Sequence, residues 1–261
     1  MMTANKKPMK KKTKALLITL LCLLLAGGAL AGVGLTFFRP QIRALYDKLQ
    51  EVFLSSPDPA YQHYRDEDGK IVIWLDPGHG GTDPGAVSPF LGEETEASIN
   101  YRLSRLVKER LEVYGYTVKL AWDEAMPPAE DGTYPYQDRI ARANADPEAD
   151  FYVCLHSNSY TDPSVSGARL YYYPAPDPYT DPLARAVAKA IGEAHGEDAP
   201  RLFRQTEENA FYVLRHATMP AFLLETLFVS NQADAEKLLD PVWLATEADG
   251  IAKGLKSFIE S

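Results

Sequence analysis

The most informative segment of the sequence is Ile71-Val72-Ile73-Trp74-Leu75-Asp76-Pro77-Gly78-His79-Gly80-Gly81. Its five consecutive apolar residues, rich in β-branched types, predict a strand that is buried on both faces. The Asp-Pro-Gly sequence that follows is typical of a turn. His79 comes directly after this turn, between glycines that leave its ring open to close approach. Because open α/β sheets bind their ligands at the carboxyl ends of their strands, His79 is a candidate site residue.

Two further apolar runs end in the same way. Residues 151–155 lead into His156, and residues 221–224 lead into Glu225. Each run therefore ends in a side chain that can bind a metal or carry a proton. Since strand ends of one parallel sheet lie on one edge, we expect His79, His156 and Glu225 to converge on a single site.

The rest of the chain from Ile71 onward alternates apolar runs with helical patterns. Thr95, for example, can cap a helix whose apolar positions recur every four residues and which ends near Gly115. Such alternation predicts an α/β fold. We expect residues 71–261 to form a single three-layer αβα domain with a mixed, mostly parallel sheet.

The charge of the chain excludes one class of partner. Its formal net charge is −9, although six lysines lie within residues 1–14 and no acidic residue precedes Asp47. The remainder is therefore more acidic still, which argues against binding to nucleic acid.

The amino-terminal residues predict a membrane segment. Residues 1–14 form a basic cytoplasmic tail, and the uncharged apolar run 15–38 is long enough to span a bilayer as a transmembrane signal anchor. A secretory signal cleaved after Ala31 is the alternative. Residues 39–70 are expected to be a stalk, and both interpretations place the body of the protein outside the cytoplasm.

The candidate residues suit metal chemistry. Two neutral imidazoles and one carboxylate, with a fourth position open, make a catalytic zinc site. His79 and His156 supply the imidazoles, and Glu93, Glu94 and Glu96 are candidates for the carboxylate. Glu96 would lie in the first turn of a helix, where a carboxylate also complements the helix dipole.

Glu225 is the candidate proton carrier. At the end of an apolar run it would be desolvated, which raises the pKa of a carboxyl group toward the range that a general base needs. The alternative is a buried ion pair, for which Arg215 is a possible partner; Arg215 is also a possible ligand for a substrate carboxylate. Cys154 is expected to be a core residue rather than a nucleophile, because its neighbours are apolar.

Four ordered motifs between Ile71 and Phe258 resemble those of a known family. It is the type 3 family of zinc-dependent N-acetylmuramoyl-L-alanine amidases, which cleave peptidoglycan. The motifs are Asp76-Pro77-Gly78-His79-Gly80-Gly81 with Asp83-Pro84-Gly85-Ala86, Thr95-Glu96-Ala97-Ser98-Ile99-Asn100, Leu155-His156-Ser157-Asn158-Ser159, and Pro220-Ala221-Phe222-Leu223-Leu224-Glu225 with Val229-Ser230-Asn231.

The resemblance implies a function and a set of site residues. His79, Glu96 and His156 would hold one zinc ion, and Glu225 would be the catalytic proton shuttle. The family spacing of glutamate and asparagine favours Glu96 over Glu94. The substrate would be the amide between the lactyl group of N-acetylmuramic acid and the L-alanine of the stem peptide.

The sequence departs from the family pattern at one place, and two alternative functions stay open. The family usually has Thr-Arg after its second strand, where this chain has Leu120-Ala121-Trp122-Asp123. We expect any loop that covers the site to lie within residues 121–137. A zinc peptidase or carboxypeptidase acting within the stem peptide is one alternative function. A non-catalytic wall-binding domain is the other.

Overall fold

The computed structural model describes residues 70–174 and 178–261. The predicted tail (1–14), transmembrane signal anchor (15–38) and stalk (39–70, except Lys70) lie outside these residues. Among the helices that are described, none is long and apolar enough to cross a bilayer. The anchor thus stays a prediction from the sequence.

The centre of the described chain is a six-stranded mixed sheet. The strands are β1 (Val72–Pro77), β2 (Thr117–Leu120), β3 (Phe151–Asn158), β4 (Arg169–Tyr172), β5 (Arg201–Arg204) and β6 (Ala221–Phe228), in the order β2-β1-β3-β6-β4-β5. All neighbouring strands are parallel except β4 and β6, which are antiparallel. The expected mixed, mostly parallel sheet is confirmed.

Helices cover both faces of the sheet. They are α1 (Glu96–Val113), α2 (Tyr136–Asn144), α3 (Thr180–His195), α4 (Tyr212–His216), α5 (Gln232–Leu239) and α6 (Pro241–Ile259), with a short 3-10 helix at Pro89–Leu91. The larger core joins one sheet face to α1, α3, α5 and α6, and the smaller core joins the other face to α2 and α4. The predicted three-layer αβα arrangement is therefore confirmed.

Strand β1 contributes to both cores because its side chains alternate between the faces. Ile73 and Leu75 belong to the larger core, whereas Val72 and Trp74 belong to the smaller one. A strand buried on both faces needs apolar residues at successive positions, which explains the unbroken apolar run in the sequence.

The parallel order β1-β3-β6 brings the predicted site residues to one edge. His79 follows the end of β1, and His156 in β3 is the direct register partner of Glu225 in β6. The convergence expected from three strand ends is thus confirmed.

Strand β5, helix α4 and the 3-10 helix at Pro89–Leu91 were not predicted from the sequence. Strand β5 (Arg201–Arg204) lies at the sheet edge and is largely exposed, so it lacks the apolar run that marks the central strands. Helix α4 (Tyr212–His216) has only five residues, too few for a helical repeat to be recognised.

A buried polar cluster lies at the end of β1. Asp76 is fully buried and accepts hydrogen bonds from Arg139 of α2 and from Tyr152 and Cys154 of β3. Arg139 also donates to the backbone oxygen of Tyr134. Cys154 is a buried core residue, as predicted. The Arg139 guanidinium neutralises the Asp76 carboxylate. Because the hydrogen bonds of the cluster join residues of β1, β3 and α2, the cluster holds these three elements together.

Replacing that guanidinium should destabilise the domain strongly. We expect Arg139→Leu to lower the free energy of unfolding by about 3–5 kcal/mol, because it leaves the Asp76 charge buried and unpaired. Urea unfolding followed by circular dichroism measures this. Lys189→Ala, which removes a side chain that is 77% exposed, is the control and should change stability by less than about 0.5 kcal/mol. An Arg139 variant as stable as the control would contradict this account of the cluster.

Candidate active site

Three potential metal ligands meet at the carboxyl edge of the sheet. His79, Glu96 and His156 each offer one ligand atom, and these atoms all lie within 4.8 Å of one another. Oε1 of Glu96 is 3.2 Å from Nε2 of His79 and 3.1 Å from Nδ1 of His156. Two imidazoles and one carboxylate in this arrangement form a donor set that suits zinc.

Glu96 is held rigidly by its surroundings. Its Oε2 accepts a hydrogen bond of 2.7 Å from the backbone of Ala86, and its Oε1 accepts bonds of 3.2 Å from the backbone of Ser157 and from the Asn100 side chain. Burial opposes the charged carboxylate, but the hydrogen bonds and charges of His156 and His79 outweigh it, so that the pKa of Glu96 is lowered well below its usual range. The carboxylate is therefore ionised and oriented.

The structure also separates Glu96 from the other two candidates. Glu96 is buried, whereas Glu93 and Glu94 are not. Glu94 accepts a hydrogen bond from Ser98 and pairs with Arg102 on the outer side of α1. Thr95 caps α1 as predicted, and this sets Glu96 in the first helical turn facing the histidines.

His79 has an unusual backbone and a specific partner. Its φ of 67° makes it the one non-glycine residue with positive φ among those described. Its Nδ1 lies 2.8 Å from a carboxylate oxygen of Asp83, which orients the ring so that Nε2 faces Glu96. Burial disfavours the charged ring, but hydrogen bonds and charges from Glu96 and Asp83 outweigh it and raise the pKa of His79 to about 9.

Two glycines allow the ligands to approach the backbone closely. A Cβ atom at Gly78 would lie 2.2 Å from Cε1 of the His156 ring. A Cβ atom at Gly85 would lie 2.7 Å from both Oε2 of Glu96 and Cδ2 of His79. The glycines of the first sequence motif therefore provide space that the ligand side chains occupy.

Glu225 lies beside the ligand cluster and has an unusual environment. Its Oε2 is buried and has no hydrogen-bond partner among the described residues. Burial raises the pKa of Glu225 to about 7, with Glu96 adding to the shift and the histidines and Arg169 opposing it. The carboxyl group can thus exchange a proton near neutral pH.

The alternative interpretation of Glu225, a buried ion pair with Arg215, is wrong, because no ion pair joins these two described residues. The Arg215 guanidinium donates instead to the backbone oxygen of Glu207. Arg215 belongs to the short helix α4, and its side chain is exposed. The cation nearest in the sheet to Glu225 is instead Arg169, its register partner in β4.

The segment after β2, where the sequence departs from the family pattern, packs on the glycine-rich loop. The Trp122 indole donates to the backbone oxygen of Pro77 over 2.7 Å and covers Gly80. The indole stacks between the rings of Tyr101 and Tyr134, at centroid distances of 4.9 and 4.6 Å. This segment supports the loop, while the side chains of His79 and His156 remain 27% and 18% exposed.

Sequence reasoning missed three contributors to the site. Asp83 and Asn100 stand in the quoted motifs, and Asn100 lies one helical turn after Glu96, but their contacts depend on the folded loop. Arg169 lies in an ordinary apolar run, and nothing in the sequence reveals its antiparallel register with Glu225.

Comparison with known proteins agrees with this geometry. Residues 73–257 match the family model described as N-acetylmuramoyl-L-alanine amidase. The chain belongs to this amidase family. His79, Glu96, His156 and Glu225 all lie within the matched range.

Curated relatives in the amidase family have similar sequences. The chain is 29% identical over 187 residues to the N-acetylmuramoyl-L-alanine amidase LytC of Bacillus subtilis, a match that covers 72% of this chain but 35% of LytC. It is 30% identical over 195 residues to the germination-specific N-acetylmuramoyl-L-alanine amidase of the same organism, covering 72% of this chain and 78% of that protein. The chain therefore spans about a third of the first relative and most of the second.

A solved amidase structure has the same fold. The N-acetylmuramoyl-L-alanine amidase AmiC2 of Nostoc punctiforme is 28% identical and superposes with a TM-score of 0.61, covering 74% of this chain and 99% of that one. The fold of the described domain is thus an amidase fold.

Filling the space at Gly78 should disturb the ligand cluster. We expect Gly78→Ala to displace the His156 ring and to weaken zinc binding by about 10–100-fold, the range typical of changes next to metal ligands. Competition with a chromophoric chelator measures the affinity.

Gly92→Ala is the control for this variant. Gly92 also has a backbone that favours glycine, with φ of 63°, but a Cβ atom there meets nothing within 4 Å. The Gly92→Ala variant should lose some stability and keep its zinc affinity. Equal zinc affinities in the two variants would show that the close contact with His156 is unimportant.

Proposed function

We propose that the protein is a zinc-dependent hydrolase that cleaves the amide between N-acetylmuramic acid and L-alanine in peptidoglycan. The observation that carries the proposal is the convergence of His79, Glu96 and His156 beside Glu225 in a chain of the amidase family. The ligand trio supplies a metal site, and the carboxyl group of Glu225, whose buried Oε2 has no hydrogen-bond partner among the described residues, supplies a proton carrier.

The metal and the chain have separate tasks. When bound, zinc would polarise the amide carbonyl and make water more acidic. His79, Glu96 and His156 would hold it, and Asp83 and Asn100 would fix the orientation of His79 and Glu96. Because Glu96 is already ionised and rigid, little rearrangement is needed before the metal binds.

Glu225 performs the proton transfers. As a carboxylate it accepts a proton from the water that attacks the carbonyl carbon of the lactyl amide. It then donates that proton to the alanine nitrogen as the carbon–nitrogen bond breaks, which yields a carboxylic acid and an amine. The proton of the new acid then passes to the amine, leaving a carboxylate and an ammonium group. Its pKa of about 7 suits both steps, because neither form is strongly disfavoured at neutral pH.

We also propose where the enzyme acts. The apolar run 15–38 and the lysines before it support a single-pass membrane anchor with the catalytic domain outside the cytoplasm. Peptidoglycan is the partner of the domain there.

The proton carrier can be tested directly. We expect Glu225→Gln to keep the fold and the zinc but to reduce cleavage of a muropeptide by about 10²–10⁴-fold, because the amide cannot accept the proton. Mass spectrometry of the products should show free amine on the first alanine with the wild type. Glu197→Gln, an exposed replacement of the same kind, is the control and should leave the rate unchanged. Cleavage between other stem residues would favour the peptidase alternative.

Zinc binding should depend on pH. Because the pKa of His79 is about 9 without metal, zinc must displace its proton at pH 7. We therefore expect the apparent affinity to rise by about tenfold per pH unit between pH 7 and 8. Chelator competition at several pH values measures this.

Variants of two neighbouring glutamates, Glu96 and Glu94, form a matched pair for this measurement of zinc affinity. Glu96→Gln should lose zinc affinity at every pH, whereas Glu94→Gln should behave like the wild type. Loss of zinc in the Glu94 variant alone would overturn the ligand assignment.

A further inference from the structure

A row of four functional side chains crosses the sheet at the level of the site. His156 of β3 is the register partner of Glu225 in β6, Glu225 is the partner of Arg169 in β4, and Arg169 is the partner of Arg201 in β5. Register partners in adjacent strands project from the same face of a sheet. The ligand, the proton carrier and two arginines therefore share one face in a single line.

Arg169 is oriented by aromatic rings rather than by an acid. Its guanidinium lies 4.6 Å from the centre of the fully buried Phe228 ring and 5.8 Å from that of Phe203. The Arg201 guanidinium lies 5.3 Å from the same Phe203 ring. Stacking of this kind fixes the plane of a guanidinium and leaves its N–H groups free to donate.

Neither arginine has a carboxylate partner within the two stretches that the structure describes. No Asp or Glu oxygen of these stretches lies within 4.0 Å of either guanidinium, although Arg110, Arg139 and Arg185 all form such pairs. Two unpaired guanidinium groups side by side in an acidic chain are suited to an external anion. A planar carboxylate, which accepts two parallel hydrogen bonds from one arginine, fits them best.

The spacing of the row matches the proposed substrate. Adjacent strands lie about 4.7–4.9 Å apart, so the backbone of Arg169 stands about 5 Å and that of Arg201 about 10 Å from the backbone of Glu225 across the sheet. One extended residue spans about 3.3–3.6 Å. A carboxylate one residue beyond the alanine whose amide is cleaved would thus reach Arg169.

We propose that Arg169, with Arg201 beside it, binds a carboxylate of the stem peptide and so sets a preference for stems that carry a free acid there. This rests on the proposed function, since the scissile amide must lie at Glu225. A free carboxylate on the second residue of the stem is the group that the spacing places at Arg169. Arg169 takes the role that the sequence suggested for Arg215.

The test compares two substrates and several variants. The substrates are muropeptides that differ only in the second residue, with a free α-carboxylate in one and a carboxamide in the other. We expect Arg169→Gln to lower the ratio of kcat/KM for the free acid to kcat/KM for the amide at least tenfold, mainly through KM, since its effect on Glu225 acts on both substrates alike. Arg169→Lys, which keeps the charge but loses the planar fork, should fall between.

Arg204→Gln is the matched control. Arg204 is exposed in the same edge strand as Arg201, but at a position of the opposite face. Its replacement should leave both substrates unaffected. Equal losses of Arg169→Gln on both substrates would show a structural role, and no loss on either would show that Arg169 makes no contact; both results overturn the proposal.

A third muropeptide separates the possible sources of the carboxylate. It is amidated at the third residue and has a free acid at the second. If Arg169→Gln discriminates at the third residue instead, the assignment to the second residue is wrong.

Binding measurements keep this inference distinct from the amidase proposal. Calorimetry in the Glu225→Gln background measures the affinity for both substrates without turnover. A preference for the free acid that disappears with Arg169→Gln supports the carboxylate site even if the wild type cleaves neither muropeptide. Equal affinities for the two substrates would reject the site even if cleavage proceeds.

Discussion

The carboxylate of Glu96 is the group on which the rest of the site depends. It accepts hydrogen bonds from the Ala86 backbone in the loop after β1, from Asn100 in its own helix, and from the Ser157 backbone in β3. It also lies within about one hydrogen-bond length of both histidine rings. One ionised group thus joins the loop, the helix and the sheet, and a buried charge satisfied in so many directions has little freedom to move.

The site combines two carboxyl groups whose environments differ sharply. Glu96 is surrounded by donors, which favour its charged form, whereas Glu225 is buried without a partner for Oε2, which favours its neutral form. Because the pKa values of the two carboxyl groups are shifted in opposite directions, one acid can hold a cation while the other exchanges protons. Because Arg169 stacks on Phe228 instead of pairing with Glu225, the proton carrier is left available.

The sequence predicted the parts of the site that depend on strand ends, and it failed where tertiary register decides. His79, His156 and Glu225 were found because buried parallel strands present their carboxyl ends on one edge. The choice of Glu96 over Glu94 needed the family resemblance, since Glu94 lies only two residues away, just before the Thr95 cap. Arg169 could not be predicted as a neighbour of Glu225, because tertiary packing sets the antiparallel register between β4 and β6. The alternative ion pair of Glu225 with Arg215 was wrong for the same reason.

The two outermost strands of the sheet affect whether copies of the protein can pair with one another. Each presents one row of backbone N–H and C=O groups to which a strand of another molecule could add. Strand β5 carries the exposed Arg201 and Arg204, whereas Lys119 of β2 is paired with Asp146. Repulsion between the arginines opposes pairing of β5 with β5 of another copy, and both outer strands are only four residues long. Addition of one sheet to another through β5 is therefore disfavoured.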